Sequence, residues 1–131
     1  MTVALPDLLT RVLHDVSATY PLRVACEPVR SRSKRESIVR ITAEGLATVE
    51  ISVPDGDTSA RELAEVADRV ADELVEVLPA AGYPAIWPEC PLHPGSHPLE
   101  ARTDGHEAVW SCPAADARIA TIGSLAGANV R

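Results

Sequence analysis

Apolar positions at Leu9, Val12, Leu13 and Val16 recur three and four apart, which places them on one face of an α-helix. Pro6 suits the first helical position and Tyr20-Pro21 stops the run, so the pattern predicts a helix over 5–18. The period then changes to two. Leu22, Val24 and Cys26 alternate with Arg23, Ala25 and Glu27, the mark of a half-buried strand, with Cys26 on the apolar side as a small hydrophobe. Two more strands are predicted over 37–42 and 47–53. A three-residue turn at Ala43-Glu44-Gly45 opposes Val39 to Val49 and Ile41 to Ala47, and sets Gly45 where positive φ is wanted. The longest helical pattern runs from 60 to 78. Ser59 and Glu62 form a capping box at its start. Leu63, Val66, Val70, Leu74, Val77 and Leu78 make its apolar stripe, and Pro79 and Gly82 close it.

Past Gly82 the pattern breaks. Five of the eleven prolines fall between Pro84 and Pro98, and both tryptophans lie beyond residue 86. The reading is an α+β protein: residues 1–81 form a helix–three-stranded antiparallel sheet–helix domain, and residues 82–131 form a zinc-stabilised β-hairpin module. A short strand at 117–122 would extend the hairpin, and the tail from Gly123 is expected to fray.

Asp104-Gly105 signals a two-residue hairpin turn. If Thr103 opposes His106, then Ala101 faces Ala108, Leu99 faces Trp110, and His97 lands opposite Cys112. Opposed residues have Cβ atoms roughly 4.5–5.5 Å apart, close enough to share a metal. Cys90-x2-His93 has the spacing of a zinc knuckle and supplies two more donors. Cys90, His93, His97 and Cys112 are therefore the candidate ligands of one Zn2+. His106 sits at the hairpin tip, on the order of 20 Å from Cys112 along an extended strand, and reads as a solvent residue. The competing reading makes Cys90 and Cys112 plain buried thiols and the histidines loop residues. Four protein ligands would close the shell, which is a structural arrangement; three would leave a catalytic position.

Charge and composition narrow the classes. The net charge of −7 repels phosphate backbones and argues against nucleic acid. Arg30, Arg32, Lys34 and Arg35 nevertheless cluster between the first two strands and could grip an anionic or acidic partner, although a solvated hairpin loop is the plainer reading. Trp87, beside Pro88 and Cys90, is either an exposed binding anchor or packing for the zinc module. Aromatic residues make up 3% of the chain and Phe is absent, so Leu, Val, Ile and Ala must fill the core. No secretion signal or membrane-length apolar run is visible, and three cysteines are an odd count, so a cytoplasmic setting and metal or free thiols are expected over disulfides.

The segment from about 87 to 113 resembles zinc-ribbon and zinc-knuckle modules, with His replacing Cys in one knuckle. That resemblance implies a structural or docking element. The order helix, three strands, helix is similar to double-stranded-RNA-binding domains, but the stretch Asp57-Thr58-Ser59-Ala60-Arg61-Glu62 lacks the lysines their second helix uses. It is also similar to acidic secretion-chaperone folds. The expected function is a non-catalytic adaptor or protein-binding module with a structural zinc, its partner a protein not identified by the sequence and a homodimer an open option. The alternatives are a nucleic-acid- or ribosome-associated protein, and a small zinc hydrolase using Glu100 or Glu107. In the proposed register both glutamates point away from the metal face.

Overall fold

The computed structural model describes residues 7–19, 24–33, 36–43, 47–54 and 59–125. Helix α1 spans Asp7–Thr19. Strands β1 (Val24–Ser33), β2 (Glu36–Ala43) and β3 (Ala47–Pro54) follow, then helix α2 (Ala60–Val77) and a 3-10 turn (Leu78–Ala81). Strands β4 (Glu100–Asp104), β5 (Glu107–Cys112) and β6 (Ala117–Thr121) complete the order. The result is a mixed α+β chain with two antiparallel three-stranded sheets, ordered β1-β2-β3 and β4-β5-β6, and two helices.

The first sheet keeps the expected faces with a shifted register. Ile41 opposes Val49 and Val39 opposes Ile51, so the loop falls at residues 44–46, one position later than the sequence pattern suggested. The parity is unchanged, which is why Val39, Ile41, Ile51 and Val53 still share the buried face. The loop residues themselves, Glu44 and Gly45 included, lie outside the described residues, as does Pro6. β1 is longer than expected. It runs on through Pro28 to Ser33, with register shifts after Pro28 and after Ser31 that absorb the irregularity.

α2 begins where expected. Ser59 holds an extended conformation and its hydroxyl accepts the Glu62 backbone N–H at 3.1 Å, satisfying one of the helix's otherwise unpaired donors. Leu63, Val66, Val70, Leu74 and Val77 are buried, with Ala64 and Ala67 widening the stripe. That width matters, because α2 touches α1, β3, β4 and β5. Both sheets therefore meet around one helix. A single core cluster runs from Leu8, Leu9, Val12 and Val16 of α1, through β2, β3 and α2, to Trp87, Cys90, Leu99, Trp110 and Cys112. Residues on the two sides of Gly82 thus bury their apolar surface against each other. No helix among the described residues is long and apolar enough to cross a membrane.

The second hairpin also shifts by two. Asp104 pairs with Glu107 and Ala101 with Trp110, so the two-residue loop is Gly105-His106 in place of Asp104-Gly105. Gly105 sits at φ 65°, the left-handed region that a type II′ hairpin requires at its first loop position. β6 pairs along β5 and extends the hairpin, within the 117–122 stretch expected to do so.

Candidate metal centre

The segment between Gly82 and Leu99 has neither α-helix nor named strand. Its prolines have no N–H to donate to a ladder, so its shape rests on a few specific hydrogen bonds. Gly82, at φ 88°, ends the 3-10 turn by donating to Pro79 O at 3.1 Å. The chain then forms a narrow return. Leu99 N donates to Pro88 O (2.7 Å), Cys90 N donates to His97 O (3.3 Å), and Glu89 and Pro98 form an isolated antiparallel bridge. Two turns sit inside it: His93 N donates to Cys90 O (3.2 Å) and Ser96 N to His93 O (3.1 Å). The Glu89 carboxylate accepts Gly95 N at 2.6 Å and ties the tip to the stem.

This folding sets Cys90, His93 and His97 around one point. β5 brings Cys112 to it from the other side. The ligand atoms of these four residues all lie within 4.8 Å of one another, so the group could hold a metal ion. His93 Nδ1 is 3.6 Å from Cys90 Sγ, 3.5 Å from Cys112 Sγ and 3.1 Å from His97 Nε2. Cys112 Sγ lies 3.8 Å from His97 Nε2. Both sulfurs are fully buried, while the two imidazoles are half-buried and form the outer side of the cluster. All three cysteines of the chain are free of disulfides.

The route by which His97 meets Cys112 differs from the expected one. In the observed register Glu100 opposes Ser111, so continuing the ladder would set Leu99, not His97, across from Cys112. His97 instead reaches the cysteine from the end of the return, where Cys90 N holds its carbonyl. The apolar face is nonetheless the expected one: Leu99, Ala108 and Trp110 are buried and Ala101 is partly so.

Two contacts orient the donors. His97 Nδ1 lies 2.9 Å from Pro98 O, so the Nδ1–H tautomer donates to that carbonyl and leaves Nε2 facing the cluster. Ala115 N donates to Cys112 Sγ at 3.3 Å and fixes the direction of the side chain. His106 is exposed at the hairpin tip, and Glu100 and Glu107 are exposed. Glu107 is paired with Arg118.

Neither Arg30 nor Trp87 is among the donors of this cluster. Arg30 is exposed, and both it and Arg32 lie within β1, not in a loop as the sequence pattern suggested. Lys34 and Arg35 lie outside the described residues. Trp87 is buried, 1% exposed, and packs edge-on against Trp110 with ring centroids 5.3 Å apart. It is a core residue and not an exposed anchor.

The sequence pattern did not single out Asp15 and Thr19. Asp15 is fully buried. Its carboxylate accepts Trp110 Nε1–H at 2.8 Å, Gly123 N at 2.7 Å and Leu125 N at 3.0 Å. Thr19 Oγ1 accepts Trp87 Nε1–H at 2.9 Å. The available signal was spacing: Leu8, Val12, Asp15 and Thr19 follow one helical face, which puts a carboxylate inside an apolar stripe. No known family model, curated protein or solved structure matches this chain.

Proposed function

We propose that the chain is a non-catalytic adaptor or protein-binding module whose C-terminal half is stapled by one structural zinc ion. The observation that carries this reading is the spacing of the four donors. Zinc binds sulfur at about 2.3 Å and imidazole nitrogen at about 2.05 Å in tetrahedral sites. Tetrahedral angles then set sulfur–nitrogen edges at about 3.5 Å and the nitrogen–nitrogen edge at about 3.3 Å. The corresponding separations here are 3.5, 3.6 and 3.8 Å for sulfur–nitrogen and 3.1 Å for nitrogen–nitrogen. Two thiolates and two neutral imidazoles are a soft donor set that suits zinc. Two thiolates also neutralise a divalent ion, which offsets the cost of burying Cys90 and Cys112 in charged form.

Four protein donors fill a tetrahedral shell, and a filled shell serves structure and not turnover. The exposure of Glu100 and Glu107 supports the same reading, because neither offers a base at the cluster. A staple is also what this half of the chain needs, since its ligand-bearing segment has so little regular structure. A filled shell and a net charge of −7 are the support for a binding role, with a protein as the partner.

Metal analysis of protein purified without chelators tests the zinc part of this reading. The expected content is about one zinc per chain, falling strongly in Cys112→Ser. Metal-free wild-type protein, or zinc content unchanged by that substitution, contradicts it. Zinc-dependent hydrolysis of any ester or amide, abolished by the same variant, would point to an open site and overturn the non-catalytic assignment.

A further inference from the structure

We propose that the metal centre governs the docking of α1, so that metal occupancy switches the N-terminal helix between a seated and a loosened state. This rests on the reading of Cys90, His93, His97 and Cys112 as a metal site.

The connection runs through two tryptophans. Trp87 stands three residues before Cys90, at the root of the ligand-bearing return, and Trp110 stands two residues before Cys112, on the same face of β5. Tying Cys90 to Cys112 therefore fixes the two indoles against each other, in the edge-to-face contact described above. Each indole spends its N–H on α1. Trp87 donates to Thr19 and Trp110 to Asp15, residues one helical turn apart. Thr19 Oγ1 in turn lies 2.9 Å from Asp15 O, so its hydroxyl can donate to the helix while it accepts from Trp87. The Asp15 carboxylate also gathers the Gly123 and Leu125 N–H groups beyond β6. The last turn of α1 is thus held by polar contacts whose other ends lie in the metal-tied half of the chain.

The ligand-bearing return has neither helix nor named strand. Its backbone is tied by turn bonds and one isolated bridge, and the Glu89 carboxylate holds Gly95 N. Withdrawing the metal frees Cys90, His93 and His97 to move, and Trp87 with them. Thr19 then loses its donor, and Trp110 loses the ring that packs on it. β2 and β3 lie in the other sheet and share no hydrogen-bonded ladder with this segment. Loss of metal should therefore loosen 86–99 and α1 while leaving β2 and β3 in place.

Hydrogen–deuterium exchange of the full chain, read by mass spectrometry with zinc bound and after titration with EDTA, tests this. Metal content is measured in parallel. The expected result is that removing zinc speeds exchange of α1 and of 86–99 together by about tenfold or more, with β2 and β3 little changed. Thr19→Val, which removes the acceptor for Trp87, should speed α1 exchange in the zinc-bound protein while zinc stays bound. If zinc binds but its removal leaves α1 exchange unchanged, the coupling is wrong and the metal reading stands. Equal loss of protection throughout, β2 and β3 included, also overturns the selective switch. Failure of the chain to bind zinc overturns the metal reading and this inference with it.

Discussion

Asp15 is the residue on which most of the polar interior converges. Its carboxylate accepts three N–H donors, of which Trp110 Nε1 and Leu125 N are buried and Gly123 N is part-buried. Replacing it with Ala leaves all three without an acceptor. Each buried unsatisfied group costs roughly 1–3 kcal/mol, so Asp15→Ala should lower stability by about 3 kcal/mol or more in urea unfolding. A change within about 0.5 kcal/mol would mean the indole and amide groups find other partners. Cys26 gives a second residue-scale test. Burial pushes its thiol up to about 11 from an ordinary 9.0. The folded chain therefore holds that proton more tightly than the unfolded one. The contribution to stability is present below pH 9 and is lost as the pH rises towards 11. At pH 8 alkylation of Cys26, followed by peptide mapping, should run at least about tenfold slower than for an unstructured peptide thiol. Equal rates would contradict its burial. The sequence made Cys26 legible as a small hydrophobe, because strand alternation assigns a face. It did not make Asp15 legible in the same way. A charge in an apolar stripe shows only that donors are needed, and here they lie 95 and more positions downstream.

At the scale of elements, the pattern carried faces further than registers. Both hairpins kept the predicted parity and slid by two, because alternation fixes which side a residue takes and not which partner it meets. In the second hairpin the choice was made by Gly105, whose positive φ puts it first in the loop. The extension of β1 to Ser33 was hidden by Pro28 and by the polar run that follows, both of which look like a strand's end. α2 was the most legible element. Its cap and stripe agree, and its boundaries follow. Its cap also predicts a measurable effect. Ser59→Ala removes the acceptor for Glu62 N and should cost about 1 kcal/mol, read as a lower urea midpoint with an unchanged m-value. A neutral result would show that water serves that N–H equally well.

At the scale of the molecule, α2 joins two small sheets into one core, and the Cys90, His93, His97 and Cys112 cluster lies where the proline-rich return meets the end of β5. The four candidate ligands were legible because cysteines and histidines at knuckle spacing stand out in a chain with three cysteines and four histidines. The way they meet was not. His97 arrives through a proline-bound return and not through a strand ladder, and no periodicity encodes such a path. X-ray absorption at the zinc edge on the purified chain reads which atoms surround the ion. Two thiolates and two imidazoles give a first shell of about two sulfurs near 2.3 Å and about two nitrogens near 2.05 Å. A shell of oxygen and nitrogen alone, or one holding fewer than two sulfurs, would contradict it.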